Sequence, residues 1–267
     1  LMRGIHPQTI VRAFNKASKI ALGNMPEASI HIEKVNVAAT ALRGKASENA
    51  LGFAAQLCSE AAVRADGDAD HIRTLTQAGG NMSDSYIHSG LVLNKTFTNP
   101  EYVGKEKPRL LMLDGGLDGF NYEDVQMQIQ DPAQLQQIQQ QEMHILSEVA
   151  KAITEMCDVV IVRDGIHEAV AKYLDSQGVG VVSRVQQSDI DGIARITGIP
   201  VYHRITEVPE DYDEKVNGSI KPIRIGDLDY VSVKTKGSRT ITMIVRGATR
   251  QTLDEYERAF DDAVGVV

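Results

Sequence analysis

The sequence predicts an α/β (α+β) chain in which a discontinuous helical domain receives an inserted α/β domain. Three observations lead there. Between residues 159 and 202 strand and helix patterns alternate, and strands joined through crossover helices pair in parallel. At both ends apolar residues recur every three or four positions, the period of a helix with one buried face. Breaks near Ser89-Gly90 and Gly237-Ser238 then separate residues 90–237 from residues 1–89 and 238–267.

Pro7 suits the first turn of a helix, with Ile10, Phe14, Ala17 and Ala21 expected on its buried stripe. Gly23-Asn24 and Pro26 are expected to end it. A second helix is expected over residues 32–42, yielding to the basic turn Arg43-Gly44-Lys45. A third starts from Ser47 as N-cap and runs through Leu51, Ala54, Leu57, Cys58 and Ala61 to the break at Asp66-Gly67-Asp68. The opening region is therefore expected to be almost entirely helical.

Leu91–Leu93 and residues 109–113 read as strands, the second followed by a glycine-rich loop over residues 114–119. Asp131-Pro132 opens a long helix, Asp as N-cap and Pro at its first position, with Leu135, Ile138, Ile145, Val149, Ile153 and Met156 on its stripe. Then come strand Val159–Val162, helix 166–176, strand 179–182, helix 188–197 and strand 200–202. Residues 208–218 form an acidic loop, and 223–225 with 230–233 an antiparallel pair. Ile241, Met243 and Val245 belong to a buried strand. The closing helix presents Leu253, Tyr256, Phe260, Ala263, Val264 and Val267 as one stripe, with Asp262 roughly opposite at about 100° per residue. Thr249 and Thr252 are both N-cap candidates, Thr252 having Glu255 three residues on. The pattern is still helical at Val267, as expected of a piece of a longer polypeptide.

Composition narrows the function. A hydrophobic fraction of 42% with 24% charge fits a soluble globular protein, and 267 residues suffice for a sizeable core. A net charge of -8 argues against a nucleic-acid binder, and no apolar run reaches membrane-spanning length. Two distant cysteines, Cys58 and Cys157, make no disulfide framework, and the expectation is a cytoplasmic protein.

Most chemical motifs are incomplete. His167-Glu168 begins a His-Glu-x-x-His pattern, but Ala171 stands where the second ligand would be, so no metal site is expected. The 114–119 loop lacks the spacing of a dinucleotide fingerprint, and the glutamines between Gln126 and Gln141 coat a helix. Two residues stand out slightly. Lys45, in a turn before a helix, is placed to meet an anionic group, and Asp262, on an outward face, could order a water or a metal-bound phosphate. On the residues alone, an ordinary surface charge is the simpler reading of each.

His6-Pro7-Gln8-Thr9-Ile10, Gly44-Lys45-Ala46-Ser47-Glu48, Gly79-Gly80-Asn81-Met82-Ser83-Asp84-Ser85, Asp131-Pro132-Ala133-Gln134-Leu135-Gln136, Arg246-Gly247-Ala248-Thr249 and the run from Glu257 to Val267 together resemble the group II chaperonins, the archaeal thermosome and the eukaryotic cytosolic chaperonin. The resemblance spans the chain in order, with the archaeal type nearer. It implies a helical intermediate domain (1–89 and 238–267) and a substrate-binding apical domain (90–237) with a helical protrusion at about 120–146 that serves as a built-in lid. The family's equatorial domain, with its phosphate loop and ring contacts, is missing.

The resemblance further implies that Asp262 positions the water attacking the γ-phosphate of ATP and that Lys45 senses that phosphate. ATP and Mg2+ would serve the intact protein, with neither bound by this chain alone. Leu135, Ile138, His167, Val170, Tyr173 and Leu174 would hold non-native polypeptide clients, and Gly90 and Gly237 would be hinges. Other chaperonin subunits in a double ring are the implied partners, with no nucleic acid and no membrane. The loop at 114–119, the loop at 208–218 and His167-Glu168-Ala169 depart from the family's usual residues. A stand-alone interaction module without an ATPase cycle, or an α/β enzyme acting on an anionic substrate near residues 115–119, are the alternatives.

Overall fold

The computed structural model describes residues 6–28, 32–45, 48–118 and 132–267. The expected N-caps Ser47 and Asp131, and the first part of the expected protrusion, lie outside the described residues.

The two ends of the chain meet in one body. Helices α2 (Lys34–Leu42) and α3 (Glu48–Arg64) pack on α7 (Arg250–Val266), the closing helix. Their seam is made of small residues, Ala38, Ala54, Ala55 and Ala61, around the fully buried Phe260 and Leu42. Small side chains let three helices approach closely, and the one large ring fills the space they leave.

The three helices expected before Asp66-Gly67-Asp68 are present, but residues 72–89, placed in the same helical domain, hold two strands. After α3 the chain forms β1 (Ile72–Ala78) and β2 (Tyr86–Ser89), which flank β11 (Ile241–Gly247) in a three-stranded sheet ordered β1-β11-β2. β1 runs parallel to β11, with Ile72 opposite Ile241, and β2 runs antiparallel to it. Sequence patterning misses β1 because it is covered on both sides. Ile72 faces the helical seam and Leu75 faces the central lobe, so polar and apolar residues do not alternate cleanly.

Helix α1 (Pro7–Ala28) also differs from expectation. It continues through Gly23, Asn24 and Pro26, the proline falling in its last turn where one lost hydrogen bond interrupts little. Its stripe is not buried: Ile10 is half-buried, and Phe14, Ala17 and Ala21 are exposed. The helical period is present, but no described element covers that face.

The central lobe holds two further sheets. β3 (Leu91–Leu93), β10 (Leu228–Thr235), β9 (Gly218–Ile225) and β4 (Lys105–Glu106) form one in that order. The other is parallel, ordered β7-β6-β5-β8 from Gly180–Val182, Val159–Val162, Leu110–Leu113 and Val201–Tyr202. α4 (Pro132–Met156), α5 (Glu168–Ser176) and α6 (Gln187–Thr197) complete the lobe. α4 and α5 pack together over one face of the parallel sheet, in a core built from Leu146, Ile153, Val160, Val170 and Leu174. α6 contributes Ile190 and Ile193 to the core between that sheet and β3-β10.

The body and the lobe share a packed interface. Leu75 and Ile244 from the three-stranded sheet meet Val92, Ile225 and Tyr230 in a small apolar cluster. Thr242, fully buried, donates through Oγ1 to the carbonyl of Gly90 and accepts from the amide of Val92, at 2.8 and 3.0 Å. A buried hydroxyl is tolerated there because both its roles are filled. His88 and Ser232 add a side-chain hydrogen bond of 2.8 Å, and the Tyr230 hydroxyl donates to Gln77.

Candidate functional site

Lys45 and Asp262, 217 residues apart in sequence, are in contact: Nζ lies 2.6 Å from Oδ2. Local structure explains how each arrives. α2 ends at Arg43, Gly44 takes a left-handed φ of +82°, and the Lys45 amide donates back to the Leu42 carbonyl at 3.0 Å. Only glycine adopts that φ without strain, so the turn throws Lys45 out beside α7. On α7, Thr249 is the N-cap, its hydroxyl accepting from the Thr252 amide at 3.2 Å. Ala259, Phe260, Ala263 and Val264 face the seam, and Asp261 and Asp262 are exposed.

The pair stays wet, its side chains 44% and 66% exposed. An ion pair in such a setting adds little to stability, on the order of 0–1 kcal/mol. Its components are better described chemically: an ammonium that can donate to phosphate oxygens, and a carboxylate whose second oxygen is open to accept from water. Next to it, Asp261 accepts from the Thr74 hydroxyl at 2.8 Å and so ties α7 to β1. The Cys58 thiol beneath is pushed up to about 12, by burial first and then by the charge of Asp261, and is no nucleophile.

The residues expected to hold an external chain are placed less uniformly. Val170 and Leu174 are 1% and 0% exposed in the core under α5, so they do not form a surface, which corrects the expectation. An apolar stripe on an amphipathic helix turns toward the sheet it covers. His167 is the N-cap of α5, its Nδ1 accepting from the Ala169 amide at 3.2 Å, and Tyr173 is half-buried beside the same core. Leu135 and Ile138 fall in the first turns of α4, where side chains lie outside the described residues. Met143 and Ile145, further along α4, are large apolar residues open to water that sequence reading did not select as a surface.

The two expected hinge glycines differ. Gly90 has φ +101° and its amide donates to the Thr240 carbonyl at 2.9 Å; an added Cβ would lie 2.5 Å from the Val233 carbonyl oxygen. Gly237 has φ +81° and open space around it.

The loop at 114–118 is held by backbone contacts to the end of β8. It lies at the switch point between β5 and β8, where open α/β sheets bind ligands. Here the Asp114 amide donates to the Tyr202 carbonyl at 2.7 Å, and a Cβ on Gly115 would lie 2.7 Å from the His203 carbonyl oxygen. Arg163 closes over the loop with an ion pair to Asp114 at 2.6 Å. Among the described residues there is no cluster of three metal-ligating side chains, and no helix is long and apolar enough to cross a membrane.

A sequence profile of the TCP-1/cpn60 chaperonin family matches residues 1–267. A thermosome subunit of Methanopyrus kandleri is 31% identical over 285 residues, spanning 100% of this chain and 52% of that protein. Thermosome subunit beta of Sulfurisphaera tokodaii is 31% identical over 287 residues, with 51% of its length covered. The chain thus spans about half the length of the curated relatives it matches. In structure, the open-state monomer of a group II chaperonin from Methanococcoides burtonii superposes with a TM-score of 0.77 at 20% identity, over 99% of this chain and 64% of that one. With the whole sequence matched by the family profile and the fold shared with a group II chaperonin monomer, the chain belongs to the TCP-1/cpn60 chaperonin family.

Proposed function

We propose that this chain is the client-holding and hinge portion of a chaperonin subunit, an ATP-dependent chaperone that encloses unfolded polypeptide in a double ring with a built-in lid. Residues 90–237 would be its apical domain and residues 1–89 with 238–267 its intermediate domain. The observation that carries the reading is the contact of Lys45 with Asp262 at 2.6 Å, on an open edge of the terminal body. Neither residue is a convincing site alone. Together they put a phosphate donor beside a water acceptor, the two functions that hydrolysis of a phosphoanhydride needs from side chains.

In the whole protein ATP with Mg2+ supplies the transferable phosphoryl group. Lys45 would donate to a phosphate oxygen, and Asp262 would accept a hydrogen bond from the attacking water. Lys45 also fixes the Asp262 carboxylate before nucleotide is engaged. α7, which carries Asp262, is packed on α2 and α3 and tied to β1 through Asp261, so a pull on Asp262 moves the terminal body as a unit against the lobe. The rest of the nucleotide site would come from the part of the relatives' length that this chain does not match, so the isolated chain should not turn over ATP.

Clients would meet the outer face of α4, where Met143 and Ile145 are exposed, with Leu135 and Ile138 on its first turns and His167 and Tyr173 at its side. An apolar strip set among glutamines suits weak recognition of many partners. A net charge of -8 favours protein over nucleic-acid partners, and a cytoplasmic location fits two free, buried cysteines.

The test is Asp262→Asn in the full-length assembled protein. Nucleotide binding should be retained while hydrolysis falls by about 100-fold or more, the range of a positioned general base. Hydrolysis at the parent rate would overturn the assignment.

A further inference from the structure

Among the described residues one charged pair crosses from the terminal body to the central lobe, its carboxylate buried and its guanidinium 31% exposed. Arg73 of β1 places Nη2 2.5 Å from Oδ1 of Asp189, whose side chain is 4% exposed. Asp189 sits in the first turn of α6, where the helix N-terminus favours negative charge. Burial pushes its carboxyl up, against the opposing pull of Arg73 and then Lys95, so Arg73 offsets part of the cost of burying it.

Arg73 stands in the wall between two clefts. One, of ≈ 170 Å3, lies in the seam between body and lobe and is lined by Arg73 with Leu91, Ser188 and Gly192. The other, of ≈ 390 Å3, lies within the terminal body and is lined by Arg73, Thr74, Glu257 and Asp261. Glu257 has no ion-pair partner within 4.0 Å among the described residues; burial, then Asp261 and Asp254, push its carboxyl up, against the weaker opposing pull of Arg258 and Arg73. A cation placed against it would relieve all three effects. Two carboxylates therefore flank one guanidinium, one on the lobe and one on the helix that carries Asp262.

We propose that Arg73 is a two-seat clamp: it locks the lobe to the body through Asp189 in this arrangement, and it transfers to Glu257 of α7 when the lobe swings away. Loss of Arg73 leaves Asp189 as an unpaired charge beside Leu91 and Ile190, which the fold does not tolerate, so the seam opens until water reaches the carboxylate. The two arrangements are discrete because a half-separated pair satisfies neither seat. Because α7 is tied to β1 through Asp261, motion of the terminal body carries Arg73 and Glu257 together, and only Asp189 leaves with the lobe. The clamp stands on the geometry of this chain; only its link to nucleotide rests on the function proposed above, and the test below uses no nucleotide.

The experiment is a distance measurement by pulsed electron resonance on the 267-residue chain, with spin labels on Gln56→Cys of α3 and Lys172→Cys of α5, both exposed positions. The native Cys58 and Cys157 are buried and should not label. The parent should give one main distance. Arg73→Met should raise the population of a second, longer distance at least tenfold, and adding Asp189→Leu should return it to within twofold of the parent. The isosteric Asp189→Asn, which keeps the side chain's shape and removes the charge, guards against misfolding of the harsher variants and should raise the longer population at least threefold. In that background Glu257→Gln should lower it again by at least threefold, because the second seat is gone. Unchanged distances in both Arg73→Met and Asp189→Asn would overturn the clamp. A double variant as separated as Arg73→Met alone would overturn the role of Asp189, and no effect of Glu257→Gln in the Asp189→Asn background would overturn the second seat.

Discussion

Replacing Phe260 by Ala tests whether the two ends of the chain form one body. The ring is fully buried, set among Ala38, Ala54, Ala55 and Ala61 of α2 and α3. Truncation removes on the order of 150 Å2 of apolar contact, which at ~25 cal/mol/Å2 costs about 4 kcal/mol. Alanine methyls on three helices cannot reach across the void, so the cavity adds to that cost and the upper part of the ~3–5 kcal/mol range is expected. Phe260→Leu, which keeps most of the volume, should cost about 1 kcal/mol. Because the chain has more than one core, the assay is amide hydrogen exchange read element by element. In Phe260→Ala the opening free energies of α2, α3 and α7 should fall together by about 4 kcal/mol, with β6 and β7 unchanged. A fall of less than about 1 kcal/mol, or one confined to α7, would refute the shared core.

Acid should loosen the interface between body and lobe through His88. Burial, then the charge of Lys234, pull its pKa from 6.5 down to about 4, so the folded state favours the neutral ring that bonds Ser232. The contribution is complete above the unfolded pKa, is lost as pH falls from about 6.5 toward about 4, and changes no further below that. Stability measured across that window should drop in the parent and flatten in His88→Gln; an equal drop in both would exclude His88 as the cause. Alanine at Gly90 should cost more than alanine at Gly237. The first combines a φ of +101° with a Cβ 2.5 Å from a carbonyl oxygen, the second only strain of roughly 1 kcal/mol at φ +81°. Equal thermal destabilisation would contradict that difference in crowding.

What the sequence makes legible is the structure that short-range pattern determines. The alternation through residues 159–202 becomes β6, α5, β7, α6 and β8 with boundaries shifted by a residue or two, and Asp131-Pro132 marks the start of α4 at Pro132. The closing helix buries the side its three-four spacing indicates, and Asp262 lies on the opposite side. β1 and β2 are hidden because their ladder partner, β11, lies more than 150 residues away and because β1 is covered on both faces. Spacing marks the stripe of α1 as buried, yet it is exposed, while Val170 and Leu174 of α5, expected on a client-holding surface, are core. Amphipathicity says that a face exists, not what covers it. Lys45 and Asp262 stand out only slightly in sequence, and the docking of α2 on α7 is what brings them together.

That pair is the centre of the account, and a double-mutant cycle on steady-state ATP hydrolysis by the full-length assembled protein tests it most directly. If Lys45 and Asp262 act as one unit, Lys45→Ala combined with Asp262→Asn should be scarcely slower than Asp262→Asn alone, as expected for groups that share a step. Losses that multiply independently, or single variants that hydrolyse ATP at the parent rate, would contradict it.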